Sequence, residues 1–314
     1  MGKHEKRGKK KKRIWPKVLI SILVVIAIIF SGGYFYIHNK LSKMNKVEID
    51  KADLGISQDI STNYNNTDKI KNIALFGVDA PDGENGRSDS IMIATIDPVH
   101  KKLKLTSIMR DSYVNIPDRG LDKINHAYAF GGPQLAIKTI NENFGLNIED
   151  YMTVNFSSLP IIIDALGGVD ITITDEEVSH IPGISSAGTY TLTGDQALAY
   201  SRIRYAEGGD YKRTERQRTV LEGLFAKALS MPASSYVSIL DTVLPYVQTN
   251  MSSSTILSIG TKALTSFEGQ LEQQRFPLDG YCECEMIDGV YYLTFDVETT
   301  KQQFMDYIFK DTLE

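Results

Sequence analysis

Residues 73–79 read Ile73-Ala74-Leu75-Phe76-Gly77-Val78-Asp79, and residues 91–98 read Ile91-Met92-Ile93-Ala94-Thr95-Ile96-Asp97-Pro98. Each is a short apolar run with almost no polar interruption, closed by an acid or by Asp-Pro. Runs of this length predict strands of a sheet covered on both faces. Leu103–Ile108 alternates and predicts a third strand beside them. Helical spacing follows over Gln134–Phe144, Thr214–Leu229, Ser235–Val247 and Ser253–Phe267, the last two opened by serine-rich N-cap regions. Gly167-Gly168 leads into a further strand at Val169–Ile173. Strands alternating with helices predict an α/β fold, a three-layer αβα sandwich around a central mixed sheet. No internal repeat and no convincing linker divides residues 70–314, which read as one domain.

The composition agrees. The chain has 314 residues, 42% hydrophobic, with 16 Tyr and 12 Phe, which excludes a disordered protein. The net charge of -5 hides an asymmetry. Residues 1–17 carry nine Lys/Arg and one acid, Glu5, leaving 25 basic and 38 acidic side chains beyond them, a net of -13. Phosphate repels such a body, so no nucleic-acid partner is expected.

Residues 18–37 contain no charged side chain and run Val18-Leu19-Ile20-Ser21-Ile22-Leu23-Val24-Val25-Ile26-Ala27-Ile28-Ile29-Phe30 at their centre. As a helix they would span roughly 30 Å, the thickness of a bilayer core. Lys9–Arg13 precedes them, with Trp15, Tyr34 and Tyr36 near the two interfaces. Positive charge stays inside, which predicts a single-pass type II membrane protein with a basic cytoplasmic tail (1–17), a transmembrane signal-anchor (18–37) and an extracytoplasmic body. The apolar run is longer than that of a cleaved signal, and no A-x-A pattern follows it. Residues 38–69, rich in Asn, Ser, Lys and Asp, read as a stalk.

Charges gather where the predicted strands end. Asp79 closes the first, Arg87-Ser88-Asp89 opens the second, and Arg110-Asp111 follows the third. In open α/β sheets, ligands bind at such strand ends. Downstream, Arg202 and Arg204 lie two apart, and Arg213 and Gln217 lie four apart on one helix face. Two guanidinium groups about 5 Å apart repel by roughly 3 kcal/mol at an effective dielectric near 20. A convergent set of them would therefore spread apart or recruit an anion, and the planar fork suits phosphate oxygens. Paired carboxylates beside phosphate suggest a hard divalent cation, Mg2+ by default. Metal and arginines around phosphate are the apparatus of phosphoryl transfer. Against this stands the ordinary reading of an Arg beside an Asp as a surface ion pair. Arg216 and Arg218 read as a solvated helix face, and Asp118, Arg119 and Asp122 as turn residues. Cys282 and Cys284, one residue apart, read as structural or free thiols.

In order along the chain, Gly77-Val78-Asp79, Arg87-Ser88-Asp89-Ser90, Ser107-Ile108-Met109-Arg110-Asp111, Lys123-Ile124-Asn125-His126-Ala127-Tyr128 with Gly131-Gly132, Leu166-Gly167-Gly168-Val169, Leu192–Arg204, and Asp210 with Arg213 to Gln217 resemble the LytR-CpsA-Psr family. The resemblance covers residues 72–220. It departs at Met109, where the family usually has proline.

The resemblance implies an extracytoplasmic phosphotransferase of Gram-positive cell envelopes. Such an enzyme moves a glycopolymer, of teichoic acid or capsular polysaccharide type, from an undecaprenyl-pyrophosphate carrier to peptidoglycan, making a phosphodiester to a muramic acid hydroxyl. Carried over, Asp79 and Asp89 would hold Mg2+, with Mn2+ as the alternative. Arg87, Arg110, Arg202, Arg204, Arg213 and Gln217 would grip the pyrophosphate. Arg110, Asp111 and Asp89 would be catalytic, with Asp111 or Asp89 as the proton acceptor. An apolar tunnel, for which Leu159–Leu166 and Leu224–Leu229 are apolar enough, would take the polyprenyl tail. A lipid-pyrophosphate hydrolase, or a non-catalytic protein that binds a lipid-linked polymer or the wall, would use the same residues.

Overall fold

The computed structural model describes residues 36, 38–42, 44–80, 86–203, 209–232, 235, 239, 241–266 and 271–313. The run 18–37 lies outside them except for Tyr36, as does the basic tail. Among the described residues, no helix is long and apolar enough to cross a membrane.

Thirteen strands are described, namely β1 (Asn45–Lys46), β2 (Lys71–Asp79), β3 (Arg87–Asp97), β4 (Lys102–Ile108), β5 (Tyr113–Ile116), β6 (Gly120–Lys123), β7 (Asp150–Asn155), β8 (Val169–Ile173), β9 (Gly188–Leu192), β10 (Val247–Thr249), β11 (Glu272–Phe276), β12 (Cys282–Ile287) and β13 (Val290–Phe295). The main helices are α1 (Ile124–Phe144), α2 (Leu159–Ala165), α3 (Gly194–Ser201), α4 (Gly209–Ser230), α5 (Ser253–Ser266) and α6 (Val297–Phe309). Seven strands form one sheet in the order β1-β10-β7-β2-β3-β4-β11. It is mixed, since β2 runs antiparallel to β3 and parallel to β7, and β4 runs antiparallel to β3 and parallel to β11. The remaining strands form three hairpins, β5–β6, β8–β9 and β12–β13.

The pleat explains the layering. Successive side chains of a strand point to opposite faces. Ala74, Phe76 and Val78 of β2 pack with Ile137, Ile140, Phe304 and Ile308 from α1 and α6. Ile73 and Leu75 pack on the other face with Met152, Ile256 and Ile259. Helices therefore cover both faces, which is the αβα arrangement that the apolar runs predicted.

Local departures from the sequence reading have local causes. β4 is covered on both faces too, because α6 lies over the face that carries Lys104. That side chain is fully buried, and its Nζ donates to Asp311 Oδ1 at 2.9 Å and to the Tyr307 carbonyl at 2.5 Å. α1 begins ten residues before the expected Gln134, and Gly131 and Gly132 leave helical geometry ahead of Pro133. The helix expected over 235–247 falls in part outside the described residues. Its end is a 3-10 turn at Leu244–Tyr246 followed by β10, since Pro245 supplies no amide donor. The stretch expected to be a stalk is not a free spacer beyond residue 41. Leu41, Met44, Leu54, Ile60 and Tyr64, spaced among its polar residues, are buried against the body, and β1 pairs with β10.

Candidate functional site

The three charged strand ends meet at one edge of the sheet. Register places Gly77 opposite Ser90 and Ile91 opposite Ile108, so the end of β2, the start of β3 and the end of β4 coincide. Asp79 lies directly across from Arg87. Between them the register slips, with Gly77 pairing Ser90 and Val78 pairing Ser88. Asp89 is thus the extra residue of a β-bulge, a device that re-aims a side chain out of the regular alternation.

Asp89 is turned toward the residues after β4 and the start of α1. Its Oδ1 accepts from an Arg110 terminal nitrogen at 3.0 Å and from Asn125 Nδ2 at 3.2 Å. Arg110 Nε also donates to Asp111 Oδ2 at 3.2 Å, and Lys123 Nζ donates to Asp111 Oδ1 at 2.7 Å. Asp111 thus has a cation on each oxygen and fixes the plane of the Arg110 guanidinium. The structure brings Asp89, Arg110 and Asp111 into direct contact, and it adds Lys123 and Asn125. Both additions lie in the motif Lys123-Ile124-Asn125, yet spacing gave them no role, because their contacts are made across a turn and not along an element.

Arg202 caps the C-terminus of α3. The start of that helix is fixed by a capping box. Gln196 N–H donates to Thr193 Oγ1 at 3.4 Å, and Thr193 N–H donates to Gln196 Oε1 at 3.1 Å. Gly194 lets α3 touch α2, since a Cβ there would lie 2.2 Å from the Pro160 carbonyl oxygen. So seated, Arg202 stands 3.9 Å from Asp79 Oδ1 and 5.7 Å from the centre of the Phe156 ring. At 52% and 65% side-chain exposure, the Arg202–Asp79 pair is open to a ligand, not a tight bridge. Arg87 is exposed at the start of β3, across from Asp79, whereas Arg213 and Gln217 are buried on α4. Arg204 lies outside the described residues.

Two expectations on α4 are corrected. Arg216 and Arg218 are not a solvated face, for they are 5% and 8% exposed. Arg216 Nε donates to Glu177 Oε1 at 2.6 Å, and Arg218 Nε donates to Gln273 Oε1 at 3.4 Å. Burial and the nearby Arg275 charge push the Arg218 guanidinium below its ordinary range, with Glu215 opposing. Asp122, expected as a turn residue, accepts from His126 Nδ1 at 2.8 Å, if that ring nitrogen carries the proton.

Behind the charged edge lies a cavity of about 260 Å3 between the sheet and α4. Leu75, Met92, Met152 and Val247 line its depth, while Gly77, Ser90, Ser201 and Gln217 line it where β2, β3 and α3 approach the charged residues. From α4 come Gln217, Val220, Leu221 and Leu224, one face of the helix at positions i, i+3, i+4 and i+7. Of the two segments expected to line a tunnel, Leu159, Ile162 and Leu224 do so, and Ile163 packs in a separate core with Val169 and Ile171. A Cβ on Gly77 would come within 3.0 Å of Ser90 Cβ and 3.1 Å of the Phe156 ring, so glycine keeps the cavity open there.

As a metal site, the edge offers two carboxylates, Asp79 and Asp89. Among the described residues, no group of three or more His, Cys, Asp or Glu is placed to hold a metal ion. Mg2+ characteristically takes one or two carboxylates and completes its octahedron with water and substrate phosphate. Asp79 and Asp89, at adjacent strand ends with an exposed Asp79 carboxylate, fit that partial donor set.

A family model, that of the LytR_cpsA_psr family, matches residues 31–307. A polyisoprenyl-teichoic acid–peptidoglycan teichoic acid transferase TagU of Oceanobacillus iheyensis is 35% identical over 312 residues, 95% of each chain. A TagU of Enterococcus faecalis is 34% identical over 294 residues, 91% of this chain and 93% of that one. The fold is similar to that of a LytR-CPS2A-psr family protein, YwtF (TagT) of Bacillus subtilis, solved with bound octaprenyl pyrophosphate lipid. The TM-score is 0.62 at 25% identity, over 83% of this chain and 99% of that one.

Proposed function

This chain belongs to the LytR-CpsA-Psr family, and we propose from that premise that it is a transferase moving a glycopolymer from an undecaprenyl-pyrophosphate carrier to peptidoglycan. The observation that carries this reading is the joining of an apolar cavity to a cationic edge. Leu75, Met92 and Leu224 offer a dry channel to a polyprenyl tail, and Arg110 and Arg202 lie where its pyrophosphate would emerge. The names of the TagU relatives favour wall teichoic acid as the polymer.

The division of labour combines the family resemblance with the contacts of Asp89, Arg110 and Asp111. Arg87, Arg110, Arg202, Arg204, Arg213 and Gln217 bind the two phosphates, with Arg110 held in plane by Asp111. A hydroxyl oxygen of the peptidoglycan sugar attacks the phosphorus that bears the glycan. The bond from that phosphorus to the bridging oxygen breaks, and undecaprenyl phosphate leaves with the bridging oxygen. Asp111 has Lys123 and Arg110 on its two oxygens, so it serves as the orienting group. Asp89 uses one oxygen for Arg110 and Asn125, which supports the other oxygen as the acceptor of the hydroxyl proton. Asp79 and Asp89 would hold a Mg2+ ion, which supplies charge neutralisation to the pyrophosphate. The run 18–37 would anchor the enzyme in the membrane as a single helix, with the body outside.

The test is reconstitution of the full chain in detergent with a lipid-pyrophosphate glycopolymer and peptidoglycan. Polymer attached to peptidoglycan is the expected product, with chelation of divalent cations lowering the rate by roughly tenfold or more. Release of free phosphorylated glycan would mean hydrolysis and would overturn transfer. An undiminished rate in chelator would remove the metal.

The cavity gives a separate expectation. Leu221→Trp adds bulk to a partly buried wall position, so it should raise the donor KM roughly tenfold, about 1.4 kcal/mol of binding. Donors with short prenyl chains should be less affected. Equal KM values for wild type and variant would show that the lipid lies elsewhere.

A further inference from the structure

The β12–β13 hairpin lies outside the seven-stranded sheet, yet its base is tied to the site. The Leu293 amide donates to the Asp111 carbonyl at 2.9 Å, and Ser112 and Leu293 form a parallel bridge. This fixes Tyr292 beside Tyr113, with ring centres 4.6 Å apart and planes tilted by 54°. Lys123 Nζ, the group that holds Asp111, lies 5.6 Å from the Tyr292 ring centre and 5.7 Å from that of Tyr291. The Tyr292 hydroxyl donates to Asp122 Oδ1 at 3.5 Å, and the other oxygen of Asp122 faces His126. A continuous path of contacts therefore runs from Arg110 through Asp111 and Lys123 to a cluster of tyrosine rings.

These rings are not core. Tyr113 and Tyr292 are half-buried, and Tyr291, on the other face of β13, is 39% exposed. Exposed aromatic surface beside hydrogen-bonding groups is the usual mark of a binding site. Rings flanked by a carboxylate and an imidazole match a pyranose, whose C–H face packs on an aromatic ring while its hydroxyl and acetamido groups find polar partners. Charge narrows the choice. Residues 281–295 carry Glu283, Glu285 and Asp288 and no Lys or Arg. A polyphosphate glycopolymer would be repelled there more strongly than a strand of N-acetylated amino sugars, which carries no phosphate.

We propose that Tyr113 and Tyr292, backed by Lys123 and the Asp122–His126 pair, form the acceptor subsite, a shelf for a glycan strand of N-acetylated amino sugars. The shelf rests on the transfer reading for its purpose. Its strand β5 packs against α1, whereas the cavity lies against α4, so acceptor and lipid would approach by different routes. Lys123 then links the acceptor shelf to Asp111, the carboxylate that orients Arg110.

The test uses the full chain in detergent and uncrosslinked peptidoglycan glycan strands, first in equilibrium binding without donor and then in transfer. Tyr292→Ala should weaken glycan binding and raise the acceptor KM by on the order of tenfold, with the donor KM unchanged. Tyr292→Phe, which keeps the ring, should restore most of the affinity. Tyr113→Ala, which removes the ring packed against Tyr292, should move the same quantities in the same direction. Unchanged glycan binding and acceptor KM in both alanine variants, or a rise in donor KM instead, would overturn the shelf. Glycan binding that depends on Tyr292 in a chain that performs no transfer would sink the transfer reading and leave the subsite standing.

Discussion

Arg110→Ala is expected to lower the transfer kcat by roughly 10²–10³-fold, the cost of removing one preorganised donor from a developing charge. The effect is large because Arg110 serves two groups as well as the substrate. Its guanidinium contacts Asp89 at 3.0 Å and Asp111 at 3.2 Å, so alanine leaves two carboxylates facing the space where phosphate must sit. Their repulsion of the pyrophosphate should raise the donor KM too. Arg110→Lys should recover only part of the rate, since an ammonium cannot reproduce the planar fork that spans Asp89, Asp111 and phosphate. Unfolding temperature should move little, because the pair is partly exposed, at 18% and 22%. Steady-state kinetics with the lipid donor varied checks this. A variant with wild-type kcat and KM would dissolve the proposed phosphate site.

The second large effect concerns stability. Arg216→Ala should destabilise the body by about 3–5 kcal/mol, because it leaves the Glu177 carboxylate buried without its cation. That corresponds to a fall in unfolding temperature on the order of 10 °C for a body of this size. Burial pushes the Glu177 carboxyl up, but the Thr174 N–H and the Arg216 guanidinium outweigh it, so the carboxyl titrates below its ordinary value. A depressed carboxyl stabilises the fold fully above the unfolded-state value and loses that contribution as pH falls through the folded one. The gap between wild type and Arg216→Ala should therefore be widest above about pH 5 and narrow below about pH 4. Thermal unfolding at several pH values measures it, and a gap that widens on acidification contradicts the assignment. Transfer should fall as well, since α4 also carries Arg213, Gln217 and one wall of the cavity.

The layers were readable because their cause is local. Uninterrupted apolar runs at 73–78 and 91–96 can be satisfied only by cover on both faces, and the structure covers both. The charged residues at the strand ends were readable for a related reason. An acid or arginine immediately after a buried strand emerges at the sheet edge, and Asp79, Asp89 and Arg110 do so together. α4 misled in part. Arg216 and Arg218 stand in a run of six residues dense in charge, which reads as solvated, yet Glu177 and Gln273 come from distant segments to receive them. The same holds for Lys104, whose partners Tyr307 and Asp311 lie some two hundred residues away.

By itself the sequence determined the mixed αβα body, the apolar run before it, and which cations and carboxylates stand at the strand ends. Those follow from periodicity, run length and residue type, which act over a few residues at a time. The tertiary structure alone decided that Asp89 turns toward Arg110 at a bulge, that Lys123 links Asp111 to the Tyr292 ring, and that an apolar cavity reaches Phe156, beside Arg202. Each of these depends on strand register and on chain segments far apart in sequence coming within a few ångströms, and no local pattern records that.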